Sequence, residues 1–167
     1  ITAEMPKSYR YEDYSTLIKW FASADKVALC NRPEYHYRQR MGSTDHEVNP
    51  VRMWHFFLAE VERCSFVRTF NLLPDIEEEL DARVIRTGLV QAKEIARCCN
   101  EDISFKYISN ITQKMRDFGC ERSRTSGLRN WWRKQLLFKS SKMFIKIMRI
   151  SGKFKFSGRN KSKIFYE

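Results

Sequence analysis

Two short runs of this chain hold residue types in spacings that could do chemistry. The first is Glu12-Asp13, two adjacent carboxylates at the head of a helical stretch. The second is Tyr35-His36-Tyr37-Arg38-Gln39-Arg40-Met41-Gly42-Ser43. In an extended chain, side chains alternate between faces. Tyr35, Tyr37 and Gln39 then share one face, and His36, Arg38 and Arg40 share the other. Two guanidiniums beside a Gly42-Ser43 turn suit an anion with several oxygens, because each is a planar fork of donors. Gly42 lets the backbone turn close to such a ligand. A plainer reading fits the same residues. An edge hairpin carries basic residues to stay soluble, and acids in a first helical turn are favoured by the helix dipole without any catalysis.

Order and spacing join the two runs. Glu12-Asp13 leads into an apolar helix, then Lys26-Val27-Ala28-Leu29-Cys30, then Asn31-Arg32-Pro33, then Tyr35-x-Tyr37-Arg38-x-Arg40-x-Gly42-Ser43. This string, over residues 8–45, resembles the distal part of the bacterial family 2 glycosyltransferases. The resemblance implies an inverting transferase that moves a sugar from a nucleotide-sugar donor to a glycan or lipid-linked acceptor. Its setting would be cell-surface polysaccharide or glycolipid synthesis. Asp13 would be the general base that takes the proton of the acceptor hydroxyl, and Glu12 would help to position the acceptor or the loop. Arg38, Arg40 and Ser43 would hold the donor diphosphate, and the loop from Thr44 to Pro50 would close over the nucleotide. One departure is Tyr11, where the family often has a small or polar residue.

The resemblance also implies an architecture. Residues 1–48 would be the end of a GT-A-like α/β catalytic domain, completed by a β-hairpin of strands at 26–30 and 34–39. The family's Asp-x-Asp metal motif does not occur in this sequence, which begins Ile1-Thr2. The expectation is therefore a portion of a longer enzyme, inactive alone. A divalent metal, Mg or Mn, would serve the full-length enzyme through ligands outside this chain.

The remaining elements are read from periodicity. Leu17, Ile18, Phe21 and Ala24 recur at helical spacing, so residues 11–24 should be a helix. Asn49-Pro50 is an N-cap followed by proline at the first helical position, and predicts a helix over 50–69. Its expected inner stripe is Trp54, Phe57, Leu58, Val61 and Cys64. Asp75 with Glu78 reads as a capping box opening a helix to about Cys98. Ile108, Ile111, Met115 and Phe118 predict a third helix, ended by Gly119. These make a helical extension over 49–120. The fold class expected is α+β, mainly helical.

Residues 121–167 are the basic tail. From 122 to 166 there are fourteen Lys or Arg and no acid, out of a net charge of +11 for the chain. Such asymmetry points to a polyanionic surface. After a flexible joint at 121–126, Leu128 to Ile150 is expected as one amphipathic helix. Trp132, Leu136, Met143, Phe144, Ile147 and Ile150 fall on one side, with Lys139, Lys142, Lys146 and Arg149 opposite. That pattern suits a segment lying in an anionic membrane interface, disordered or loosely helical until it binds. The membrane contacts expected are Trp132, Leu136, Lys139, Lys142, Lys146 and Ile147, on a protein peripheral at the cytoplasmic face of the cell membrane. The alternative is a non-enzymatic helical module whose tail binds nucleic acid or membrane. Nucleic acid is not the partner expected, because the tail's aromatics gather away from its lysines.

No apolar run reaches the length of about 20 residues that a membrane span needs. His36 and His46 are lone histidines, read as ordinary surface or core residues. Five cysteines fit no zinc spacing and are expected to be reduced and mostly buried.

Overall fold

The computed structural model describes residues 10–33, 49–125 and 127–156, with side chains through Ser151. Among these residues there are six α-helices and no strand: α1 (Glu12–Ser23), α2 (Pro50–Thr69), α3 (Glu77–Cys98), α4 (Glu101–Asp117), α5 (Leu128–Lys139) and α6 (Ser141–Phe156). A short 3-10 turn, Pro74–Ile76, leads into α3.

Local chemistry explains most of the boundaries. Asn49 stays extended, and its side-chain oxygen accepts from the amides of Val51 and Arg52, so α2 begins with its first donors satisfied. Asn100 does the same for α4 through the amide of Ile103. At the end of α4, Gly119 takes φ 91. The Cys120 amide then reaches back to the Met115 carbonyl at 2.9 Å, and the Gly119 amide to Arg116 at 2.8 Å. That paired closure uses a left-handed residue, which glycine adopts without steric cost.

The architecture differs from the α+β expectation. The β-hairpin is not formed: residues 26–30 run without strand pairing, and Val27 and Leu29 stand exposed. A strand is stable only when its backbone donors and acceptors are paired and one face is covered. Lys26–Cys30 finds neither condition among the described residues. Residues 34–39, assigned to the partner strand, lie outside the described residues.

Three further readings are corrected. Helix α3 is not opened by a capping box; Pro74–Ile76 starts the turn, and the N-cap Ile76 makes no side-chain cap. The inner stripe of α2 is Met53, Phe57, Glu60, Cys64 and Val67, while Trp54, Leu58 and Val61 sit at its half-buried edge. The tail is two packed helices, not one loosely ordered helix. Ser140 is extended, its hydroxyl accepts from the Met143 amide at 3.3 Å, and it serves as the N-cap of α6. The break lets both halves reach the core: Leu136 and Leu137 from α5, and Phe144, Ile145 and Met148 from α6, are all buried. One cluster of apolar side chains runs from Met53 through Met148.

The joint at 121–126 is also held. Buried Lys134 donates to the carbonyls of Glu121 (2.7 Å) and Ser123 (2.6 Å), and the Ser123 hydroxyl bonds Asp81. Asp81 in turn pairs with Arg68 at 2.5 Å. Residue 126 lies outside the described residues.

Helix α3 is central, packed on α2, α4, α5 and α6. Its closest approach is at Gly88, where an added Cβ would come within 2.7 Å of Met115 Sδ and 3.1 Å of the Phe57 ring. Gly88→Val is therefore expected to destabilise the fold by about 1–3 kcal/mol, the usual cost of overpacking a filled core. A urea denaturation midpoint unchanged from the parent would refute that close packing.

Candidate active site

The Glu12-Asp13 pair occupies the first turn of α1. Glu12 is half-buried and Asp13 exposed. One oxygen of Asp13 accepts from the Tyr14 amide at 2.8 Å, which pins its carboxylate at the helix end. There it is favoured by the unpaired amides and the helix dipole. The residue before the pair, Tyr11, has φ 69 and ψ 31. For a non-glycine residue this left-handed conformation carries strain of order 1 kcal/mol. Glycine would take this conformation without that cost. The Tyr11 ring offsets the strain by packing edge-on against Phe56, with centroids 5.1 Å apart.

What holds α1 in place is a polar cluster that sequence reading did not find. Glu60, on the inner stripe of α2, is only 2 % exposed. Its carboxylate accepts from the Tyr14 hydroxyl at 2.7 Å, from Arg63 at 2.9 and 3.0 Å, and from Arg83 Nε at 3.1 Å. The cluster thus ties α1, α2 and α3 through one acid. The Arg63 guanidinium also lies 4.4 Å from the Tyr14 ring centroid. Lys19 adds an ion pair to Glu62 at 2.5 Å, and the Arg10 amide donates to His55 Nδ1 at 3.2 Å. Glu60 was legible in principle, being three residues after Phe57 and four before Cys64. An acid in a buried register calls for partners.

Burial alone would raise the Glu60 carboxyl. The Tyr14 hydrogen bond and the two arginines outweigh burial and hold it below its ordinary 4.5. Tyr14 is raised by burial and by the Glu60 carboxylate. Burial lowers His55, and nearby Arg10 adds to this.

A cleft of about 230 Å³ opens beside Tyr11, lined also by Arg52, Met53, Phe56 and Gln91. It offers aromatic walls with a guanidinium and an amide, two residues along the chain from Asp13. Arg38, Arg40 and Ser43, expected to hold the donor diphosphate, lie outside the described residues, as do His36, His46 and most of the Thr44–Pro50 loop. Among the described residues, no group of three or more His, Cys, Asp or Glu side chains comes together to hold a metal. Cys64 and Cys120 are buried, and burial pushes both thiols up to about 12. Cys30 and Cys98 are exposed, unlike the mostly buried set expected.

The chain matches no family model, no curated protein and no solved structure.

The expected membrane contacts divide between two roles. Leu136 is buried in the core, and Ile147 is half-buried against it. Trp132, Lys139, Lys142 and Lys146 are exposed. Arg149, expected on the basic side of the tail with Lys139, Lys142 and Lys146, instead caps α3: it donates to the carbonyls of Ala96 (2.9 Å) and Cys99 (2.8 Å). No helix among the described residues is long and apolar enough to cross a membrane.

The Glu60 cluster makes a pH prediction. A carboxyl whose folded value lies below its unfolded one adds stability above the unfolded value. That stability is lost as pH falls through the folded value. For Tyr14 the sign is opposite: its raised value adds stability below its unfolded value that is lost as pH climbs through its folded value. Glu60→Gln should destabilise at pH 7 by about 3 kcal/mol, the lower end for a broken buried pair, since both arginines can turn toward water. The difference from the parent should shrink on acidification below about pH 4.5. A thermal midpoint gap that stays constant from pH 7 to pH 3 would show that the cluster does not depend on the ionised acid.

Proposed function

We propose that this chain is the acceptor-side, C-terminal portion of a glycosyltransferase. In this reading it transfers a sugar, with inversion, from a nucleotide-sugar donor to an acceptor hydroxyl. The reaction serves surface polysaccharide or glycolipid synthesis at the cytoplasmic face of the cell membrane. The observation that carries the reading is the Asp13 carboxylate. It stands exposed in the first turn of a helix whose next residue, Tyr14, is anchored on the buried Glu60.

The chemistry follows from that placement. A sugar hydroxyl is a weak nucleophile, and a carboxylate fixed beside it takes its proton as the oxygen attacks the anomeric carbon. The bond from that carbon to the diphosphate breaks, and the nucleoside diphosphate leaves with the electron pair. One oxygen of Asp13 is held by the Tyr14 amide, so the second serves as base. Arg38 and Arg40 are the residues we assign to the departing diphosphate. The aromatic and amide-lined cleft at Tyr11 is a place for the acceptor, because sugars are bound by aromatic walls with a few fixed polar groups.

A second observation supports the reading. Leu17, Trp20 and Phe21, on α1, are about half exposed. In the proposed enzyme this apolar side of the helix packs against the nucleotide-binding half.

The test is Asp13→Asn in the full-length enzyme, measured with donor and acceptor present. It keeps the shape and removes the proton acceptor, so transfer should fall about 10²–10⁴-fold while nucleotide-sugar affinity holds. Turnover near that of the parent would remove Asp13 from the mechanism.

A further inference from the structure

Two helices use only part of their surface in the core. On α5, Lys134, Leu136 and Leu137 are buried; on α6, Phe144, Ile145 and Met148 are. The opposite arcs carry large apolar side chains that the fold does not need. Leu128 is 81 % exposed, Trp131 50 %, Trp132 46 %, Met143 47 % and Ile150 56 %. At 100° per residue, Leu128, Trp132, Gln135 and Lys139 form one stripe of α5, flanked by Trp131. On α6, Met143 and Ile150 lie beside Lys146, with Lys142 next along. Between the helices is a cleft of about 460 Å³ whose walls include Trp131, Trp132, Phe138, Lys139, Met143 and Ile147. Apolar and basic residues are thus interleaved on one outward face, not segregated on opposite sides of one rod.

We propose that this α5–α6 face docks on an anionic bilayer. Trp131 and Trp132 sit at the boundary of headgroups and acyl chains, and Lys139, Lys142 and Lys146 meet lipid phosphates. The inference rests on, and makes specific, the membrane-surface part of the function proposed above. Three arguments select this occupant. Tryptophan's large apolar ring with one polar N–H suits the membrane–water boundary. Glu121 also lines the cleft, but Lys139, Lys142 and Lys146 outnumber it and residues 122 to 166 hold fourteen Lys or Arg and no acid, so the field over the face is net positive and attracts anionic lipid. A second copy would bring like charges together across a self-complementary interface, which disfavours a dimer. Single-stranded nucleic acid would use the cations and the tryptophans. Leu128, Met143, Ile147 and Ile150, however, have no ring on which a base could stack, and they suit acyl chains. The face is already folded, so binding does not have to order a disordered chain.

The experiment uses the full chain with Trp20→Phe and Trp54→Phe, so that only Trp131 and Trp132 report. Vesicles are phosphatidylcholine with or without about three parts in ten phosphatidylserine, the anionic component that attracts basic segments. The expected result is co-sedimentation with the anionic vesicles, a blue shift of tryptophan emission, and quenching by brominated acyl chains. Binding should weaken as salt rises, since the Debye length falls from about 10 Å at 0.1 M to about 3 Å at 1 M. Trp131→Ser with Trp132→Ser should lower partitioning about tenfold or more, with the circular dichroism unchanged. Each of Lys139→Glu, Lys142→Glu and Lys146→Glu should cost roughly fivefold or more.

Bound protein whose tryptophans are neither shifted nor quenched would overturn the proposal. So would a Trp131→Ser/Trp132→Ser variant, made without the Phe changes, that binds vesicles as tightly as the parent. Preferential, Trp-independent binding of single-stranded RNA would assign the face to nucleic acid. A lipid-free dimer with its tryptophan emission already blue-shifted would assign it to a second copy. Sugar transfer to a soluble acceptor, measured in the full-length enzyme, reads the active site separately. It should be unchanged in the tryptophan variant, whereas Asp13→Asn should lose transfer and keep its vesicle binding.

Discussion

At Gly88 three helices meet with no room for a methyl group. The Phe57 ring of α2 and Met115 and Ile111 of α4 all lie within 3.4 Å of where a Cβ would stand. Everything else is arranged around that closeness. Glycine in a helix interior costs about 0.5–1 kcal/mol relative to alanine, and here the close packing it permits is worth more. Further along α3, Ala92 and Ala96 continue the narrow side, both fully buried. This lets α6 settle against the same helix that α2 and α4 already cover. Large side chains come from the surrounding helices: Phe57, Met115, Leu137 and Phe144 are all buried to the limit. Small residues at these close approaches, set between the Leu80, Ile85, Leu89 and Ile95 that α3 also buries, are how a small bundle reaches interior density.

The second organising feature is electrostatic. Burying Glu60 would be prohibitive alone, so the fold supplies three donors. The net gain over an apolar residue of the same size is small or negative by this kind of accounting. What the cluster does is specify. Tyr14 from α1 and Arg83 from α3 can both reach Glu60 only when α1 lies at one place on α2. That geometry fixes the helix end where Asp13 stands. A polar network of this sort sets position more than stability, and position is what the general base we propose at Asp13 would require.

The sequence was legible wherever a local rule acted alone. The Asn49-Pro50 start and the Gly119 stop are each decided by local backbone chemistry, and the helices begin and end there. It was less legible where the partner decides. The inner stripe of α2 was read from its aromatic residues, which drew it toward Trp54 and Leu58. The true stripe passes through Glu60, a residue that looks solvated until Arg63, Arg83 and Tyr14 are seen around it. Lys26–Cys30 has the composition of a short strand, but no described segment pairs with it. Of the site itself, the carboxylate pair could be read because it opens a helix. The cleft at Tyr11 could not, because Arg52 and Gln91 come from separate helices.

The tail shows how one amphipathic pattern can become two packed helices. Twenty-odd residues without acid, apolar on one side, describe an interfacial helix in isolation. Two serines at 140 and 141 change the outcome. Ser140 leaves the helix and caps the next one, so one long stripe becomes two shorter ones that turn independently toward the core. Leu136 and Phe144 are drawn inward, and Arg149 goes to the carbonyl end of α3 instead of to solvent. The residues left outside are those that the core has no space for: two tryptophans, a leucine, a methionine and an isoleucine, with lysines between them. A free amphipathic helix spends much of its apolar gain on ordering its own backbone. Here the folded core has already borne that cost, so the exposed apolar area and the lysines can contribute directly to binding. The same packing that takes Leu136 from the expected contacts leaves the others on a face that is already ordered, which favours the docking we propose.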